Sequence, residues 1–157
     1  MPGVVIAAVN GPRAVVVSGD RDAVAAVREE WAGRGRRTAA LRIDGAAHSP
    51  HMDPVLDEYR RALETLDLRA PALPLVCDIT AKPVDTEAAT PEFWVRELRE
   101  PVRFADTVDL LAQDEVTAYL ELGPGEVLAD LLDGLPPGDG TQPLLLATAR
   151  DWRDLQW

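Results

Sequence analysis

Hydrophobic and polar positions alternate along the chain in blocks that change period. β-Branched apolar residues fill 4–9 and 14–18, separated by Asn10-Gly11-Pro12-Arg13. This spacing predicts a hairpin whose loop is somewhat longer than the tightest type. Behind Asp20, a residue type that caps helices, Val24, Val27 and Trp31 recur at helical spacing, and Gly33 and Gly35 end the run. Residues 37–43 then read as a returning strand. The result is a β-β-α-β unit of about 43 residues, too small to be stable without partners.

Further on, Val55, Tyr59, Ala62, Leu63 and Leu66 share one face of a second helix. Its start falls at one of two places, Ser49-Pro50 or Asp53-Pro54, each a capping residue followed by proline at the first helical position. Residues 73–79 are almost wholly apolar, the pattern of a buried parallel strand. Thr90-Pro91 opens a helix carrying Phe93, Trp94 and Leu98, and Pro101 stops it. Phe104, Val108 and Leu111 mark the next helix, 116–122 the next strand, and Gly123-Pro124-Gly125 the turn into a helix with Val127, Leu128, Leu131 and Leu132. Residues 134–140 read as a surface loop and 143–147 as a final strand. Strands alternating with helices from Leu73 onward predict α/β architecture. There is no internal repeat and no linker long enough to separate independent domains.

Composition narrows the function classes. An apolar share of 46% in 157 residues excludes wholesale disorder. The net charge of −11 opposes sequence-independent binding to nucleic acid. No apolar run approaches the ~20 residues that span a bilayer, so no membrane association is expected. No basic region precedes an apolar stretch at the start, so no signal peptide is read there. The single cysteine, Cys77, has no internal partner, which fits a reducing cytoplasm.

Candidate chemistry centres on Gly45-Ala46-Ala47-His48-Ser49-Pro50-His51-Met52, which holds both histidines of the chain. His48 reads either as a general base or as a surface histidine at a loop-helix junction. A metal site on His48 and His51 lacks a further His or a Cys pair to complete a zinc shell, so no metal is expected. Ser18 and Ser49 are the only serines, and neither sits in the Gly-x-Ser-x-Gly elbow that exposes an activated nucleophile. Cys77 lies in an apolar run, where packing is expected before reactivity. Gly123-Pro124-Gly125-Glu126 has the look of an anion cradle but lacks both the third glycine of a dinucleotide fingerprint and a P-loop Lys-Ser/Thr; a tight turn is the simpler reading. Arg34, Arg36 and Arg37 form a basic cluster at a helix end, either a solvated face or a contact for an acidic carrier or a CoA phosphate.

Several stretches, in order, resemble the C-terminal half of an acyltransferase domain of a modular polyketide synthase, a family related to malonyl-CoA:acyl carrier protein transacylases. They are Ala7-Ala8-Val9-Asn10-Gly11-Pro12, Val16-Val17-Ser18-Gly19-Asp20 and Ala47-His48-Ser49-Pro50-His51-Met52. Phe93-Trp94-Val95, Arg99-Glu100-Pro101-Val102-Arg103-Phe104 and Leu120-Glu121-Leu122-Gly123-Pro124-Gly125 continue the series. The resemblance implies an α/β fold made of part of a hydrolase-like large lobe and an incomplete ferredoxin-like small lobe. Residues 1–44 would be the partial small lobe, 45–133 the C-terminal part of the large lobe, and 134–157 a loop, final strand and post-domain segment. It implies His48 as the catalytic base, Arg103 as its orienter through a main-chain carbonyl, and Gly45, Ala46 and Ala47 as substrate-binding specificity positions. The implied partners are acyl-CoA, an acyl carrier protein, and an N-terminal acyltransferase half or neighbouring synthase domains, with no cofactor beyond the carrier's own phosphopantetheine. The family's nucleophile elbow, oxyanion-hole glutamine and carboxylate-gripping arginine precede these motifs and are not among the 157 residues. Gly45-Ala46-Ala47-His48 also matches neither the His-Ala-Phe-His common for malonyl units nor the Tyr-Ala-Ser-His common for methylmalonyl. Two readings follow: a piece of an acyltransferase that needs a complementing half, or a non-catalytic remnant serving as a carrier-docking or scaffold module.

Overall fold

The computed structural model describes residues 3–41, 43, 45–135 and 143–149. Strands β1 (Val4–Gly11) and β2 (Ala14–Gly19) pair antiparallel, from Val4 opposite Gly19 to Gly11 opposite Ala14. Only Pro12 and Arg13 lie between the last paired residues, so the turn is tighter than the sequence suggests, because Gly11 continues the strand. Helix α1 (Arg21–Gly33) follows directly. The corner into it depends on Gly19, whose φ is +145° and where a Cβ would sit 2.0 Å from the Gly3 carbonyl oxygen. That carbonyl accepts the Asp20 amide at 2.8 Å, which fixes the approach.

Among the described residues of 37–43, where a strand is expected, none is in a strand. These residues are exposed, and β1 and β2 make a sheet of two strands only. A strand without a neighbouring edge leaves its N–H and C=O groups without ladder partners, so the described unit is β-β-α.

Of the two proline-led starts only the first is capped as expected, since Asp53 is already the first residue of its helix, behind Met52, and makes no cap. Pro50–Met52 form a 3-10 turn capped by Ser49, and α2 (Asp53–Leu63) begins immediately behind it. The buried parallel strand expected over 73–79 is instead half of a short antiparallel hairpin, β3 (Leu75–Cys77) with β4 (Lys82–Val84). The chain reverses over 78–81, and Leu75 remains exposed while Cys77 and Ile79 are buried. With Ala88 and Phe93 these two form the core cluster, against which Val84 and Trp94 pack. Phe93 and Trp94 meet edge to face at 5.1 Å, and the Trp94 indole N–H donates to the Ala88 carbonyl.

Helix α3 (Pro91–Arg99) is capped by Thr90, whose hydroxyl accepts from the Phe93 amide. It is tied to α2 by Arg99 on Asp53 at 2.5 Å and Arg60 on Glu92 at 3.0 Å. Helix α4 (Phe104–Gln113), strand β5 (Ala118–Pro124), helix α5 (Val127–Asp133) and strand β6 (Leu144–Ala149) complete the described chain. β5 and β6 are parallel, with Ala118 opposite Leu144 and α5 inside the crossover. The loop expected over 134–140 lies, from residue 136, outside the described residues. Leu120, Leu122, Leu144 and Leu146 of this sheet are exposed, Leu122 by 78%. Among the described residues no helix is long and apolar enough to cross a membrane.

Candidate active site

The site begins at the end of α3. Pro101 has no N–H to extend the helix, and the amide of Val102 is drawn away to the Ala7 carbonyl of β1 at 2.8 Å. The last carbonyls of α3 are therefore left without intrahelical partners, and His48 takes that of Leu98 together with the carbonyl of Glu100, the residue that closes the helix. Its backbone N–H donates to Leu98 at 3.1 Å, and its ring Nδ1 lies 2.7 Å from the Glu100 carbonyl oxygen. A carbonyl only accepts, so Nδ1 carries a proton, and in the neutral ring the lone pair is then on Nε2. His48 itself has φ +56°, a left-handed conformation that costs a non-glycine residue about 1 kcal/mol or more and persists only where neighbours dictate it.

Glu100 is held in turn. Arg96 grips its carboxylate through two bonds, Nε at 2.7 Å and Nη2 at 3.1 Å, which keeps the carboxyl below the usual range. On the other side, Val9 N–H donates to the Val102 carbonyl and Arg103 N–H to the Asp78 carbonyl. The segment carrying the orienting carbonyl is thus stitched to β1 and to the β3-β4 turn.

Arg103 is not the orienter. Its carbonyl accepts from the Thr107 amide at 2.9 Å and from the Thr107 hydroxyl, as the residue in front of α4 must, and its side chain pairs with Asp106. The orienting carbonyl lies in the same segment, three residues earlier, at Glu100.

Neither serine is placed to react. Ser49 is fully buried at 0% exposure; its hydroxyl donates to the Ala46 carbonyl at 2.6 Å and accepts from the His51 amide. Ser18 lies within β2, opposite Val5. His51 turns away from His48 to Asp20, with Nε2 to Oδ1 at 2.8 Å. This also explains why Asp20, at the N-cap of α1, makes no side-chain cap bond. Among the described residues no group of three His, Cys, Asp or Glu side chains is placed to hold a metal ion.

Of the three residues ahead of His48, Gly45 is exposed with no atom within 4 Å of where a Cβ would stand, and Ala46 and Ala47 are half-buried. The Gly123-Pro124-Gly125 turn is filled from within: the Glu121 carboxylate accepts from the Leu128 and Ala129 amides at the start of α5. A cavity of about 150 Å³ between α4, β5, α5 and β6, lined by Phe104, Leu111, Tyr119 and Leu132 among others, includes no residue of the His48 loop. At the end of α1, Arg34 pairs with Glu30 and stacks over Trp31.

Sequence reasoning missed Glu97. On the side of α3 facing β3, its carboxylate accepts from the Cys77 thiol at 3.0 Å, and burial pushes it up to about 7. Burial likewise raises the Cys77 thiol above its ordinary value. A lone glutamate on an amphipathic helix carries no sign of this; only the contact with Cys77 reveals it.

The chain matches the family described as acyl transferase domain over residues 1–135. It is 40% identical over 152 residues to the polyketide synthase GfsA of Streptomyces halstedii, covering 95% of this chain and 2% of that protein. It superposes on the acyltransferase domain from the second module of the salinomycin polyketide synthase with a TM-score of 0.83 at 40% identity, over 94% of this chain and 34% of that one. The acyl transferase domain of SpnD, in complex with 2-(pent-4-yn-1-yl)malonyl, gives 0.87 at 38% identity, over 96% of this chain and 37% of that one. The chain therefore spans about a third of the length of these solved domains. Its α/β fold and its motifs make it a member of the acyl transferase domain family of polyketide synthases.

Proposed function

We propose that this chain is the base-carrying portion of an acyltransferase that moves an acyl unit from acyl-CoA to an acyl carrier protein. The reaction runs through an ester on a serine. His48 Nε2 takes the serine proton as the hydroxyl attacks the thioester, and gives it to the departing CoA thiol. In the second half it takes the proton of the carrier's phosphopantetheine thiol, which attacks the ester, and returns it to the serine. The observation that carries this reading is the 2.7 Å contact of His48 Nδ1 with the Glu100 carbonyl, which leaves Nε2 free to accept. No cofactor or metal enters the scheme.

Because Ser49 is buried and committed and Ser18 lies inside a strand, the nucleophile in this reading comes from polypeptide outside these 157 residues, in cis or on a partner. Gly45, Ala46 and Ala47 would line the acyl group. The division at residues 44 and 133 into a partial small lobe, a large-lobe part and a trailing segment belongs to the same proposal, as does a reducing cytoplasm for Cys77.

The same two serines favour a second reading, a non-catalytic remnant that docks carriers or scaffolds a synthase. Mixing the chain with an upstream acyltransferase half, then following acyl transfer to a carrier protein, separates the two. Transfer in the mixture, with no acyl adduct on this chain by intact mass, supports the first. A mixture that forms a stable complex without transferring acyl groups supports the second.

A further inference from the structure

We propose that Ser49 is the positioning residue of the His48 loop, its hydroxyl tying the acyl-facing segment 45–47 to the backbone that carries the base. The proposal rests on His48 being that base. Ser49 is the one buried polar side chain among the described residues, and nothing reaches it from solvent. Its hydroxyl has one proton, which it gives to the Ala46 carbonyl, and its oxygen receives the His51 amide. These two bonds close a ring around His48: Ala46 lies two residues before it and His51 three residues after. Inside that ring the chain takes the left-handed φ of +56°. Leu98 of α3 and Glu100 just behind it hold His48, but they bind only its own amide and ring. Neither limits where residues 45–47 run. Ser49 does, so a single hydroxyl couples the orientation of the base to the position of the residues beside the acyl group.

The side chain suits the task. In a site with no exposed surface, serine supplies both a donor and an acceptor at minimal volume. Alanine would leave the Ala46 carbonyl and the His51 amide without that partner, and both ends of the loop would gain freedom.

The test is nitrogen NMR of the 157-residue chain itself. In the native chain the His48 ring should be locked as the Nδ1–H tautomer. In Ser49→Ala it should average between both tautomers, while the His51 ring, held separately by Asp20, keeps its signals. Ser49→Cys, similar in size but a weaker donor, should fall between. In the reconstituted transfer reaction Ser49→Ala should lower kcat roughly 10- to 100-fold, as sub-ångström misplacement of a catalytic group does. KM for acyl-CoA should change little, and preference between acyl groups should loosen. A merely structural serine would lower the folded fraction without unlocking the ring of the molecules that remain folded. A folded Ser49→Ala protein whose His48 stays locked overturns the proposal. If neither variant folds, the native chain decides: a Ser49 hydroxyl proton protected from exchange and cross-relaxing with the His51 amide is expected, and a freely exchanging one overturns it. Failure of the base assignment reads differently, as a His48→Ala variant that transfers acyl groups at the native rate while the Ser49 effect on the ring persists.

Discussion

Nδ1 of His48 lies 2.7 Å from the carbonyl oxygen of Glu100, 52 residues further along the chain. The contact selects a tautomer without using a charged partner. In the more familiar triad a buried carboxylate performs this task and stabilises the imidazolium that forms; a peptide carbonyl orients the ring with a dipole only. Substituting the Glu100 side chain should therefore leave the orienting atom in place.

His48→Ala should cut reconstituted acyl transfer roughly 10²- to 10⁴-fold, the usual share of a general base. His51→Ala should cost far less, because its ring is spent on Asp20 at the surface. Steady-state turnover of the two variants is the measurement, and equal losses would point to a shared structural role instead.

Ala47→Phe should narrow the acyl preference. Ala47 and Gly45 carry little side-chain volume beside His48, and the Gly45 position has open space around it. If these positions line the acyl group, as proposed, their small side chains would leave room for units bulkier than malonyl; one methylene in an apolar pocket shifts selectivity by about 1–3 kcal/mol. Competition between malonyl- and ethylmalonyl-CoA in the reconstituted reaction should favour ethylmalonyl in the native chain and move toward malonyl in Ala47→Phe. A malonyl preference already present in the native chain would contradict this.

Gly19→Ala should destabilise the fold by roughly 2–4 kcal/mol, since a Cβ at φ +145° would occupy the position of the Gly3 carbonyl oxygen. Thermal unfolding followed by circular dichroism tests this; an unchanged midpoint would mean that the Gly3 strand end moves aside without cost.

Glu97 sets a pH dependence of stability. Burial raises its carboxyl from 4.5 to about 7 in the fold, so the folded state binds a proton that the unfolded chain has released over that interval. Stability from this group is full below about 4.5, declines as pH rises toward 7, and stays low above. Glu97→Gln should flatten the decline and raise stability at pH 8 by about 1 kcal/mol, a value reduced for the partial solvation of the site. Denaturant titrations at pH 5 and pH 8 give the difference; parallel pH profiles for native and variant chains would remove Glu97 from the account.

What the sequence discloses depends on range. Thr90 and Ser49 announce their caps because the partner amides lie two or three residues away and proline follows. The strand-helix-strand order after Val116 is also foreseen, while the parallel pairing of β5 and β6 comes from the structure. Residues 37–43 and 73–79 mislead because alternation and apolarity describe a strand's faces and say nothing of whether an edge is available to pair with. At the candidate site, the motifs single out His48 and the segment Glu100-Pro101-Val102-Arg103, and the structure brings these two together. Choosing Glu100 over Arg103 required knowing that α4 begins at Phe104 and claims the Arg103 carbonyl.

The two backbone bonds between β1 and Val102 bear on motion. Val9 donates to the Val102 carbonyl and Val102 donates to Ala7, both at 2.8 Å. Rotating the N-terminal hairpin as a lid over His48 would break both, and would shift the segment that presents the Glu100 carbonyl to the imidazole. Hairpin and imidazole are therefore tied through one short segment, so a substitution that loosens the hairpin from Val102 would also reach the carbonyl that holds the His48 ring.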